Sequence, residues 1–376
     1  AGDYEGVKRS VATSALLSLA ATVLLTAAGI LTARPLLEVM NTPADIIEDS
    51  YAYIIVIYYG VAATAFYNLL SCIIRALGDS KTPLIFLVFA SFLNVALDLL
   101  FIITFHMGVG GAAWATVLSQ GVSGLLCLGY AWRRFPLLRM EKRHWTFDWS
   151  YAWKHLRLAL PMAMQFVITG TSVLVNQAVL NLFGSAAVAA FSAASKIHML
   201  SEQVAVSFGT AMATYAGQNY GAGKAGRVQE GLRKCALACE AITLGIMVIM
   251  TAFGGVMSSW FIDGYHPEVI QQAHLYLFIS ALFYPALTML FLYRNTLLGL
   301  GNGVTPMLAG VCELLSRMIG APVLGHFFGF TGLCWINPIA WVTASGLLFL
   351  SYRKTMRNIR PVDPTVDASD SNKIMN

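Results

Sequence analysis

The chain alternates between apolar runs of about 20 or more residues and short clusters that hold nearly all of its charge. A helical run of that length matches about 30 Å of hydrocarbon. The runs lie near 10–33, 50–74, 83–105, 111–132, 158–181, 186–217, 232–256, 269–299, 305–327 and 331–352. They lack the polar faces that the outer helices of a soluble bundle require. Short alternating segments of the barrel type are also missing. Only helices or a closed barrel satisfy the backbone in lipid. The pattern therefore predicts an all-α polytopic membrane protein with ten transmembrane helices.

One connection repeats. Leu77, Gly78, Thr82 and Pro83 recur as Leu300, Gly301, Thr305 and Pro306, each joining two apolar runs by a glycine turn. Proline's missing N–H is harmless at the start of the helix that follows. Gly111 and Trp114 recur as Gly332 and Trp335, and the lead-in 1–7 echoes 222–228. Residues 1–132 thus correspond to about 222–353, which makes two homologous bundles. Each has an even number of helices, so the internal repeat is parallel. The stretch 155–221 has no counterpart in the first half, and the expectation is that two helices, of twelve in all, are absent ahead of residue 1.

The expected organisation is a first lobe over 1–132, a basic linker over 133–157, a second lobe over 158–355 and a disordered tail over 356–376. The linker combines Arg133, Arg134, Arg139, Lys142 and Arg143 with Trp145, Trp149 and Trp153, a mixture suited to the headgroup layer. Its second half is expected to lie on the membrane before turning in at Pro161. Gly217–Gly223 is expected to be a tight turn. Alternating the faces places Lys8, Arg9, Arg75, Lys81, the linker and Lys224 together, against a face with Arg34 as its one basic residue and six acids, Asp45 and Asp263 among them. The positive-inside rule then puts both termini in the cytoplasm of a plasma-membrane protein.

Composition changes this picture little. At 57% hydrophobic and 11% charged, with a net charge of +5, the chain is not a nucleic-acid binder. Its six cysteines lie in apolar runs and read as small buried side chains, not as disulfides or a zinc set.

Four motifs carry a resemblance. They are Arg75, Gly78, Asp79, Thr82 and Pro83; Asn94 with Asp98; Gly217, Gln218, Asn219, Gly221, Ala222 and Gly223; and Glu313 with Arg317. In this order the chain resembles the multidrug and toxic compound extrusion (MATE) family from residue 1 to about 355. The resemblance implies two six-helix lobes around a central cavity. It also implies export of amphipathic, often cationic compounds in exchange for protons or sodium, by alternating access. In that family an Asn and an Asp one turn apart on the fifth helix and a Thr on the sixth make a coupling cluster. Asn94, Asp98 and Thr116 match them, while the family's first-helix aspartate has no counterpart here. Some members carry a glutamate on the seventh helix, where this chain has Gln165 and Asn176.

The residues support that expectation on their own terms. Asp98 lies deep in its run, about 22 Å from the near end, with Asn94 on the same face and Thr116 at a similar depth on the next helix. A carboxylate, an amide and a hydroxyl can form a Na+ site, a protonatable cluster or an interhelical hydrogen-bond set. Lys196, His198 and Glu202 on run 186–217 join Gln165 and Asn176 as substrate-cavity candidates, with a structural polar network as the alternative. Glu313 and Arg317, at i and i+4, read as a structural pair, and Arg294 as a snorkelling or capping residue near a helix end. Pro285, Pro322 and Pro338 mark expected bends.

The expected protein is a monomeric secondary antiporter, not an enzyme. It carries no cofactor beyond a coupling Na+ or H+, and its partners are a small amphipathic molecule and membrane lipid. The alternatives are a lipid-linked oligosaccharide or polysaccharide flippase, or an inactive truncated fragment.

Overall fold

The computed structural model describes residues 4–39, 42–43, 45–141, 144–262, 264 and 266–358. Lys142, Arg143, Asp263 and the tail from 359 onward lie outside the described residues. The chain divides into two compact units, Ala1–His155 and Leu156–Asn376.

The first unit contains α1 (Tyr4–Val39), α2 (Ile47–Ala76), α3 (Lys81–Leu99), a π-helical turn (Leu100–Thr104) and α4 (Gly108–Arg134). The second contains most of α5 (Trp149–Leu180), then α6 (Gly184–Gly221), α7 (Ala225–Ser259), α8 (Pro267–Leu282), α9 (Tyr284–Gly299), α10 (Val304–Cys334) and α11 (Ile336–Asn358). The described residues contain no strand. Apolar side chains such as Phe92 and Phe327 stay more than 70% exposed, which an aqueous surface does not tolerate and a bilayer does.

The expected count of ten spans is corrected. Among the described residues seven helical stretches are long and apolar enough to cross a membrane, or eight if a bent pair forms one span. Expected spans 158–181 and 186–217 belong to one 73-residue stretch, Trp149–Gly221, because only a single 3-10 turn at Asn181–Phe183 separates α5 from α6. The expected span 269–299 breaks at Phe283 into α8 and α9, bent by 53°. Pro285 follows the break and has no N–H to carry the helix across it. The last helix holds Asn337, Pro338 and a basic C-terminal turn, and does not qualify.

Smaller differences have similar causes. Residues 149–157 are the first turns of α5 and do not form a separate surface segment. α6 runs on to Gly221, so the turn there is only Ala222–Lys224. α1 encloses Pro35, α10 passes Pro322 and breaks instead at Gly329, and α11 extends to Asn358, into the expected tail.

The repeat is visible in hydrogen bonds. At the end of α2, Leu77, Gly78 and Asp79 donate their N–H groups to Ile73, Arg75 and Ile74; at the end of α9, Leu300, Gly301 and Asn302 donate to Thr296, Leu298 and Leu297. Gly78 (φ 98°) and Gly301 (φ 81°) hold the left-handed position that this helix end demands. The following helix is capped in the same way twice. Asp79 Oδ1 accepts from the N–H of Thr82, and Asn302 Oδ1 accepts from the N–H of Thr305. The correspondence reaches the last helix of each bundle. Tyr130 donates to Asp79 at 2.7 Å, and Ser351, 221 positions later, meets Thr305 at 3.1 Å.

These donors, Tyr130 first and Thr82 and Lys81 after it, hold the Asp79 carboxyl down from 3.8 to about 2. A depressed carboxylate stabilises the fold fully above its unfolded value and loses that contribution as pH falls through its folded value. The apparent melting temperature should therefore drop between pH 3.8 and about 2 in a way that Asp79→Asn lacks. Parallel titrations of the two proteins over that window would contradict the capping role.

Packing follows the same order in both bundles: α1 on α2, α2 on α4 and α3 on α4, against α7 on α8, α9 on α11 and α10 on α11. In the second bundle α6 fills the groove between α7 and α9. It approaches α9 so closely that a Cβ on Gly299 would stand 2.4 Å from the Ala213 carbonyl oxygen. In the first bundle the groove between Val7, Val11, Cys72, Ile73 and Ala76 is bordered by Leu138 and Tyr151 and has a volume of about 550 Å³. Gly299→Ala should lower stability by about 1–3 kcal/mol, since backbone on both sides must move. Thermal unfolding in detergent reads this directly, and an unchanged midpoint would deny the close contact.

Candidate functional site

Two polar clusters occupy the apolar helices, one in each bundle. In the first, Asn94 and Asp98 lie one turn apart near the end of α3. Thr116 on α4 donates its hydroxyl to the Ala112 carbonyl at 3.1 Å, which leaves its oxygen to accept from Asn94 Nδ2 at 3.5 Å. Asp98 Oδ1 is buried without a hydrogen-bond partner. So is the Oε1 atom of Gln120, one turn beyond Thr116, which the sequence reading missed. The α-helix gives way to a π-helical turn at Leu100, two residues after Asp98, a distortion that often marks functional positions. The cluster offers carboxylate, amide and hydroxyl oxygens to a hard cation or a proton and contains no soft ligand. Among the described residues no group of three or more His, Cys, Asp or Glu could hold a metal ion.

The second cluster surrounds a cavity of about 490 Å³. One face of α5 supplies Gln165, Thr169 and Asn176, and one face of α6 supplies Phe191, Ser195, His198 and Glu202. The 3–4 residue spacing on each helix is what gathers these side chains. α8 and α9 add Tyr276 and Arg294, α10 adds Glu313 and Arg317, and α11 adds Asn337 and Trp341. Lys196 falls off this face and does not line the cavity. It is exposed, with its Nζ 5.3 Å from the Phe261 ring centroid.

Charge and hydrogen bonds link these groups. Glu313 lies between two guanidiniums. It accepts from Arg294 through one oxygen and faces Arg317 through the other at 3.6 Å. Arg317 also donates to Ser172 Oγ at 2.7 Å and to Asn337 Oδ1 at 3.1 Å, and Asn337 donates to the Tyr276 hydroxyl at 3.0 Å. Arg294 is only 7% exposed and is therefore not the snorkelling residue its position suggested. Its place within an otherwise apolar run was the available signal, because a charged group in lipid needs a partner. His198 packs against both Tyr284 and Trp341, each 5.4 Å away by ring centroid, in a triangle closed by the 6.3 Å Tyr284–Trp341 contact, and its Nδ1 lies 3.0 Å from the Tyr284 hydroxyl. Its Nε2 is 4.0 Å from Glu202. Since Tyr284 opens α9, this contact ties α6 to the α8–α9 bend.

A family model described as MatE matches residues 1–100 and 161–323. The chain is 31% identical over 329 residues to the probable multidrug resistance protein YpnP of Bacillus subtilis, covering 86% of this chain and 70% of that protein. It is 27% identical over 367 residues to the probable multidrug resistance protein NorM of Thermotoga maritima, covering 93% and 77%. Among solved structures, a MOP superfamily transporter from Pyrococcus furiosus superposes with a TM-score of 0.88 at 22% identity, over 95% of this chain and 80% of that one. With two helical bundles and a polar cluster in each, the chain is a multi-pass membrane protein of the secondary-transporter class, not an enzyme. It belongs to the MATE family of multidrug efflux transporters.

Proposed function

We propose that this chain exports small amphipathic compounds by alternating access, in exchange for Na+ or H+ held at Asn94, Asp98 and Thr116. One observation carries the proposal: a carboxylate oxygen of Asp98 is buried in an apolar bundle without a donor, one helical turn from the Asn94 amide that meets the Thr116 hydroxyl. An intramembrane acid of that kind is costly unless a cation or a proton meets it. Gln120, one turn beyond Thr116, has a buried unpartnered oxygen of its own. The second-bundle cavity, with Gln165, Asn176, His198 and Glu202 in its walls, is the substrate site of this reading. The protein works as a monomer with both termini in the cytoplasm, an orientation supported by the basic clusters at 8–9, 75–81, 133–143 and 353–360.

Dye-loaded proteoliposomes test this. Efflux of naphthalene-class dyes that carry a carboxylate should accelerate when an inward Na+ or proton gradient is imposed, and an equal rate without either gradient contradicts the exchange.

A further inference from the structure

We propose that the second-bundle cavity binds the anionic group of an aromatic amphipath, a carboxylate held by Arg294 beside Arg317. This deepens the export function proposed above and rests on it for the ligand's fate, though not for its binding.

The argument begins with buried charge. Arg294, Glu313 and Arg317 are 7%, 6% and 8% exposed. Both guanidiniums direct their ion pairs to the one carboxylate of Glu313, so the trio carries a positive charge in excess. Among the described residues no second carboxylate comes within 4.0 Å of either guanidinium. Glu202 faces the same cavity, with its side chain 35% exposed and 4.0 Å from His198 Nε2. The Nε of Arg294 is buried with no acceptor. A buried guanidinium with a spare donor is satisfied by an anion and not by a cation. A planar carboxylate matches the guanidinium fork in particular.

The walls define the rest of the ligand. Phe291 lies under Arg294, its ring centroid 5.6 Å from the guanidinium carbon, and Phe191 and Trp341 line the same space. These surfaces favour an aromatic body. The volume of about 490 Å³ suits a small organic molecule and excludes a dinucleotide or a whole lipid. Zwitterions that carry a carboxylate fall within the class; purely cationic amphipaths do not.

Two probes with one ring system separate charge from stacking: 2-naphthoate and 2-naphthylmethylammonium. Binding to the purified full chain in detergent is read by calorimetry and by quenching of tryptophan fluorescence. The naphthoate should bind at least about tenfold more tightly than the ammonium. Arg294→Gln should weaken the naphthoate by about tenfold and leave the ammonium unchanged or improved. This variant keeps Glu313 paired with Arg317, and the wild-type comparison needs no variant. An ammonium that binds as well as or better than the naphthoate overturns the proposal. So does a folded Arg294→Gln protein with undiminished naphthoate binding. The measurement uses no gradient, so a chain that binds naphthoate yet shows no gradient-driven efflux contradicts the export function alone.

Discussion

Asp98→Asn should reduce gradient-driven efflux to the rate of protein-free liposomes while leaving the melting temperature and dye binding unchanged. The amide keeps the size and polarity of the carboxylate and removes its charge and its affinity for a proton. The unpartnered oxygen of Asp98 is the reason to expect so large an effect. An acid already satisfied by donors would be structural, and its loss would appear in folding before transport. Asn94→Ala and Thr116→Ala should weaken coupling less, because each contributes a neutral oxygen. A protein that retains gradient acceleration after Asp98→Asn has its coupling elsewhere.

Glu313→Gln should be the most destabilising single change in the second bundle, by about 3–5 kcal/mol, because two guanidiniums lose their shared counterion in a buried site. Arg294→Gln should be much milder, since Glu313 retains Arg317. Replacing Arg294, Glu313 and Arg317 together with Met, Leu and Met should cost less than Glu313→Gln alone, as apolar side chains of similar volume often do in place of buried ions. Remaining loss in that triple variant should trace to Ser172 and Asn337, which Arg317 now holds. Melting temperatures in one detergent rank the three proteins. Equal losses would mean that the trio does not act as a unit.

The helical class, the two bundles and the glycine turns at Gly78 and Gly301 were legible in the sequence because each depends on local rules: run length, repeated spacing and the left-handed helix end. Asn94 and Asp98 were legible for the same reason, being one turn apart in an apolar run. What escaped was set by tertiary contact. Nothing local pairs Arg294 with Glu313, 19 positions on, or joins Arg317 to Ser172 across 145 positions. Lys196 was drawn into the cavity by its depth, although its helical phase turns it away from the face shared by Ser195, His198 and Glu202. The number of crossings was misjudged where hydrophobicity marks no boundary, as between α5 and α6, and where it conceals a bend, as at Phe283.

The most direct measurement is ion release on substrate binding, with no gradient and no membrane barrier. Purified protein in weak buffer is loaded with labelled Na+ or held near neutral pH with an indicator, and the dye that shows the fastest efflux is then added. The account predicts that dye binding expels Na+ or protons from the wild-type protein and not from Asp98→Asn. Undiminished release from Asp98→Asn would contradict it.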